Sequence, residues 1–113
     1  MTLTMTAATT PRSASLHLAG ELDYQSTGGF IDTVDALIGR RPAPEDLHLD
    51  LSELTFCDSA GLSGLLLVHR RTSQAGVRLH LEHRPRFLDR ILDITGTFEH
   101  LVTSNAPGET GVR

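Results

Sequence analysis

The spacing of apolar residues switches between two periods along this chain, and that switching limits the possible folds more than any other feature. Leu3, Met5 and Ala7 alternate with Thr4 and Thr6, and Leu16 and Leu18 alternate with Ser15, His17 and Ala19, the period of two that a half-buried strand requires. Pro11 and Arg12 stand between them, so an opening hairpin is predicted. From residue 27 the spacing turns helical, with Phe30, Ile31, Val34, Leu37 and Ile38 on one stripe, and Gly39 is predicted as a left-handed stop. After the loop from Arg40 to Asp46, Leu47, Leu49 and Leu51 return to strand alternation against His48 and Asp50. A second helix is predicted from Ser59 to Ala75 with Gly76 closing it, then a fourth strand through Val77, Leu79 and Leu81. Pro85, favoured in a first helical turn, opens a third helix carrying Phe87, Leu88, Ile91, Leu92 and Ile94, which Gly96 ends. Leu101 and Val102 suffice for a short last strand. Residues 1–104 then form one domain, and 105–113 a flexible tail.

The order is β-β-α-β-α-β-α-β, with right-handed crossovers expected between parallel strands. A parallel strand covered by helices on both faces reads as an unbroken apolar run, whereas every strand here alternates. The prediction is an α/β fold: a mixed sheet of about five strands with the helices packed on one face and the other face polar and open. The ordinary doubly wound nucleotide fold is excluded.

Charge and cysteine content narrow the function. Ten Arg and no Lys stand against fourteen acids, a net charge of -4, which is the wrong sign for a general nucleic-acid binder. The absence of Lys also rules out a P-loop. Cys57 is alone, so no intrachain disulfide and no Cys-based zinc site can form. No apolar run approaches the roughly 18 residues of a membrane span, and Met1 to Thr6 lacks the basic start of a signal peptide. A cytoplasmic protein with no membrane partner and no cofactor is expected.

The most informative segment runs from Leu51 to Leu62. A strand ends, the chain turns, and Asp58-Ser59 stands at a helix N-terminus, where unpaired amides and the dipole favour negative charge. Asp58 is the predicted cap and Ser59 is expected exposed in the first turn. On chemistry alone both can be read simply as caps. A serine hydrolase is disfavoured because the Gly-x-Ser-x-Gly elbow is absent and no base is positioned.

Asp58-Ser59-Ala60-Gly61-Leu62 after a strand, Gly20-Glu21-Leu22-Asp23 after an earlier one, and Leu92-Asp93-Ile94-Thr95-Gly96 near the end together resemble the STAS family, specifically the bacterial anti-sigma factor antagonists. The resemblance covers roughly residues 3–103. It implies a sheet with helices on one side, and a protein that is a switch and not an enzyme. It implies that Ser59 is phosphorylated by an anti-sigma factor that is also a serine kinase, and that the unphosphorylated form binds this kinase and frees a sigma factor. A PP2C-type phosphatase would restore that form. Asp23, Asp58, Ala60 and Gly61 would flank the phosphosite, and Asp23, Ser59, Leu62 and Ser63 would meet the partner. Leu67 is expected to meet it too, on helix geometry, because it points outward from the helix that Ser59 begins. Ala60 stands where many relatives carry a second hydroxyl, leaving Ser59 alone in the turn, and Thr97 stands where relatives often have Leu. The rival reading is a STAS scaffold, or a subunit of a lipid transport complex, that never meets a sigma factor. A small nucleotide-binding or hydrolytic enzyme at the same turn is the rival from another class.

Two further groups of residues carry expectations. His17, His48 and His80 fall on the polar face of three successive strands, so a metal-binding row is conceivable, but exposed His is usually only solvated and no metal is expected. His80 and His83, three apart on a regular strand, would point to opposite faces. On the second helix Leu62, Leu65, Leu66 and His69 share one side, His69 hydrogen-bonded and partly buried, while Leu67 is expected exposed opposite them beside Ser63, Arg70 and Arg71.

Overall fold

The change of period at residue 27 is a change of element. The computed structural model describes residues 3–97, 99 and 101. In chain order they form β1 (Leu3–Thr9), β2 (Ser13–Leu22), α1 (Thr27–Ile38), β3 (Asp46–Cys57), α2 (Ser59–Ala75), β4 (Arg78–Glu82) and α3 (Arg86–Ile94). The strands lie side by side in sequence order, β1 antiparallel to β2, and β2, β3 and β4 parallel.

The strands alternate because one face only is covered. Ala14, Leu16, Leu18 and Leu22 of β2, Leu47, Leu49, Leu51 and Leu54 of β3, and Leu79 and Leu81 of β4 are buried, and they join Phe30, Val34, Leu65, Val68, Leu88 and Leu92 of the helices in one core. The intervening residues line the open face. Burying a leucine side chain stabilises by about 1.5–3 kcal/mol, so a slip of one residue in any strand would be disfavoured by several such terms.

Three expectations change. The third strand does not stop near Leu51 but runs to Cys57. Between the Ser13–Asp46 pair and the Glu21–Phe56 pair, eight steps on β2 face ten on β3, so β3 carries two bulges. They leave Ser52-Glu53 and Thr55-Phe56 as successive exposed pairs, which breaks the alternation that would have marked the strand. Gly39 ends α1 in the right-handed region, at φ -87°, because its amide continues the helix ladder to the Asp35 carbonyl at 2.9 Å. Leu101 lies in a helical turn, its amide donating to the Thr97 carbonyl at 2.9 Å, so it starts no fifth strand. Val102 and the tail 105–113 lie outside the described residues. By contrast Gly76 does close α2 at φ 75°, in the left-handed region that favours glycine. Pro85 holds the cap position before Arg86.

Candidate functional site: the turn between β3 and α2

The two parallel strands β2 and β3 end together, with Leu22 opposite Cys57, and each passes directly into the turn that begins a helix. The Asp58 amide donates to the Leu22 carbonyl at 3.3 Å. A Cβ on Gly61 would lie 2.2 Å from that same carbonyl oxygen, so the first turn of α2 presses on the end of β2 as only glycine allows. Cys57 is buried beneath it, and burial, with the Asp58 charge second, pushes its thiol up to about 11. At neutral pH this thiol is protonated and offers no thiolate nucleophile.

Asp58 caps α2 as expected. One carboxylate oxygen, Oδ1, accepts the Gly61 amide at 2.8 Å, and its backbone carbonyl accepts the Leu62 amide at 2.9 Å. The other, Oδ2, accepts the Tyr24 amide at 3.1 Å, which ties the turn after β2 to the start of α2. Ser59 is exposed, and among the described residues its hydroxyl enters no hydrogen bond. The capping duty belongs to Asp58 alone. Likewise the amides of Ser59 and Ala60 have no partner among the described residues, so the helix end presents two free donors beside the hydroxyl.

Asp23 is buried and turned into its own loop. Its Oδ1 accepts the Gln25 and Ser26 amides, each at 3.0 Å, and the Ser26 hydroxyl at 3.2 Å. Burial pushes its carboxyl up, but the amides of Ser26 and Gln25 and the Ser26 hydroxyl together hold it below the usual carboxylate range. Asp23 therefore shapes the turn that presents Tyr24, and its own side chain offers little surface. Tyr24 is 75% exposed and Phe56, at the end of β3, 47%. The sequence pattern singled out neither. The available signal was an apolar ring out of period in an otherwise polar turn, beside a strand end.

Along α2 the other candidates divide. Ala60 is partly covered, Gly61 is buried, Ser63 is exposed, and Leu62 is half-buried against the core. Leu67 is half-buried, not exposed. It shares a flank with Gly64, whose Cβ would meet the Thr27 methyl at 2.5 Å, and with Arg71, which pairs with Asp35, so this flank faces α1. His69 is buried, as expected of the inner side.

The open face departs from the histidine row. His17 lies opposite Asp50, whereas His48 lies opposite His80 and stacks on it at 4.6 Å. Each ring is drawn to carboxylates: His17 to Asp50 (3.2 Å) and Glu53 (2.9 Å), His48 to Glu82 (2.7 Å), His80 to Asp46 (2.8 Å). Arg78 and His80 hold the Asp46 carboxyl well below the usual range. His83 sits just past β4 at φ 57°, which turns it back toward Asp50 at 3.4 Å, so it shares the open face with His80 after all. Among the described residues no group of three or more His, Cys, Asp or Glu side chains has the geometry to hold a metal ion.

Residues 5–103 match the family described as "Mlab, STAS domain", and the chain belongs to the STAS family. Its structure is similar to that of the Bacillus cell fate determinant SpoIIAA in the phosphorylated form, with a TM-score of 0.69, 18% identity, and 96% of each chain covered. It is similar to an anti-sigma factor antagonist from Mycobacterium paratuberculosis, with a TM-score of 0.71, 19% identity, and 90% of this chain and 84% of that one covered. It is also similar to part of the murine Solute Carrier 26 family member A9 (Slc26a9) anion transporter, with a TM-score of 0.71, 20% identity, and 83% of this chain against 15% of that one. No curated protein is matched by the sequence. The STAS fold is thus common to anti-sigma factor antagonists and to a segment of an anion transporter. Among the described residues no helix is long and apolar enough to cross a membrane.

Proposed function

We propose that this chain is an anti-sigma factor antagonist switched by phosphorylation of Ser59. The observation that carries the reading is the division of labour at the α2 N-terminus: Asp58 satisfies the cap, and Ser59 stands exposed with its hydroxyl unengaged among the described residues. A serine serving only as a cap would have its oxygen turned onto the second or third amide of the helix. In this reading the unmodified protein binds and sequesters an anti-sigma factor serine kinase, the kinase transfers a phosphoryl group to Ser59, and a PP2C-type phosphatase removes it. The chain itself is substrate and switch, in the cytoplasm, with no turnover of its own.

Phosphate at Ser59 adds about -1.5 to -2 charge. In the free protein the unpaired amides of Ser59 and Ala60 and the helix dipole can accept it. At a closed interface the same dianion must lose its water next to Asp58, whose carboxylate already faces the turn. The test is a pull-down from native lysate with Ser59→Ala as bait, with phosphate mapped by mass spectrometry on the wild-type chain. Capture of a serine kinase and modification at Ser59 support the reading. Absence of phosphate from Ser59, or its placement on Ser52 or Ser63, overturns it.

The transporter likeness favours one second reading, a STAS module that serves a scaffold or transport complex without a sigma factor. Under it the same bait captures components of that complex and no kinase.

A further inference from the structure

We propose that the outer edge of β1 pairs with β1 of a second copy of this chain, joining two sheets across a two-fold axis at Thr6. Among the described residues β1 pairs with β2 on one side and with no strand on the other. Its residues, Leu3 to Thr9, include no charge, proline or glycine, none of the devices that keep natural edges from pairing. The opposite edge differs. β4 has five residues, and Arg78 and Glu82 stand at its two ends.

The hairpin settles which backbone groups face outward. The Thr10 amide donates to the Ser13 carbonyl at 2.9 Å, so this is a hydrogen-bonded pair. Alternation along an antiparallel ladder then makes Ala8–Ser15, Thr6–His17 and Thr4–Ala19 the other hydrogen-bonded pairs. The amides and carbonyls of Leu3, Met5, Ala7 and Thr9 therefore point away from β2. An antiparallel copy with Thr6 opposite Thr6 sets Leu3 against Thr9 and Met5 against Ala7, and satisfies all of these groups at once. Symmetry supplies the match: the large Met5 meets the small Ala7 twice, and no charges meet. An unrelated segment would have to reproduce that register by chance.

Electrostatics does not oppose the pairing. One acid, Glu21, lies on β2, past the Leu3–Gly20 pair at the far end of the ladder from the axis. The other acids of the sheet begin on β3, two strands in, and strands lie about 4.8 Å apart. Asp50 and Glu53 are thus roughly 10 Å or more from the axis, beyond a Debye length of about 8 Å at physiological salt. Ser59 follows β3, so the paired edge leaves it uncovered, and the association is independent of the switch.

The experiment is sedimentation equilibrium of the full chain over a range of concentrations, with circular dichroism to check folding. The expected result is a mass that rises to twice 12.3 kDa, and that returns to the monomer value in Thr6→Lys, which opposes two charges at the axis, and in Ala7→Pro, which removes an outward donor. Thr6→Cys provides a second readout. Facing residues of a non-hydrogen-bonded pair lie about 4.5 Å apart at Cα, inside the disulfide range, so mild oxidation should link two copies through Thr6→Cys and not through Thr4→Cys, which faces Ala8. A monomer at every concentration, a dimer indifferent to both edge variants, or equal cross-linking at residues 4 and 6 would overturn the proposal.

Discussion

Asp58 and Tyr24 are joined by one hydrogen bond, from the Tyr24 amide to Asp58 Oδ2 at 3.1 Å, and through it a side chain at the start of α2 fixes the turn after β2. Asp58 Oδ1 meanwhile holds the Gly61 amide at 2.8 Å. Asp58→Ala should therefore do more than remove a cap. A loss of about 1–2 kcal/mol is expected from the cap, together with faster amide exchange at Tyr24. Asp58→Asn, with one carbonyl oxygen for two amides, should fall between. Urea denaturation and hydrogen exchange by NMR check both; unchanged exchange at Tyr24 in the alanine variant would contradict the coupling.

Two glycine substitutions should move stability in opposite directions. In Gly61→Ala the new Cβ meets the Leu22 carbonyl oxygen, a backbone atom that cannot step aside. A loss of about 3 kcal/mol or more is expected. In Gly29→Ala, within α1, the Cβ meets nothing within 4 Å, and the better helix propensity should add about 0.5–1 kcal/mol. Thermal denaturation of both variants, measured together, checks the pair.

The open face should make stability depend on pH through His17. Its pKa is raised above 6.5 by hydrogen bonds to Glu53 first and Asp50 second. The folded state thus holds the proton more tightly than the unfolded chain. The contribution is fully present below about pH 6.5 and is lost as pH rises through the raised folded value. Asp50 runs the other way. Hydrogen bonding, the Ser52 amide foremost and His17 among the rest, outweighs burial and holds its carboxyl at about 2. Its contribution is present above about pH 4 and is lost as pH falls toward 2. Urea midpoints at about pH 5.5 and 8.5 should differ more for wild type than for His17→Gln. An identical difference in the two proteins would contradict the assignment.

Much of this fold was legible because its helices and three of its strands keep their periods. α2 could be placed from Asp58 at one end and Gly76 at the other, since each residue has a specific terminal duty. The second half of β3 was not legible, because a bulge puts two exposed residues in succession and a period-two reading ends there. His83 and Leu101 escaped for a related reason: one left-handed residue redirects a side chain, and two apolar residues carry no period. At the site, Ser59 and Asp58 could be read from residue type and position in a strand-to-helix turn. Tyr24 could not, because its place depends on the Asp58 carboxylate 34 residues away.

Leu67 and Tyr24 now exchange roles in what is expected of a partner interface. Leu67 is half-buried on the flank facing α1, so Leu67→Ala should cost about 1–2 kcal/mol of stability and little binding. Tyr24 is exposed and tied to the turn that carries Ser59. Tyr24→Ala should weaken partner binding by about 1–2 kcal/mol, roughly 5- to 30-fold, with stability within about 0.5 kcal/mol of wild type. Calorimetric binding and chemical denaturation on the same samples separate the two effects.

The proposal that Ser59 is the switch is tested most directly by the affinity of the captured kinase for three forms of the chain: unmodified, phosphorylated on Ser59, and Ser59→Ala. Each 1.4 kcal/mol is tenfold in affinity, and a desolvated dianion beside Asp58 costs several kcal/mol, so phosphorylation should weaken binding by about 100-fold or more. The unmodified and alanine forms should bind alike, and all three should melt at nearly the same temperature. Equal affinity for the phosphorylated and unmodified forms would contradict the switch.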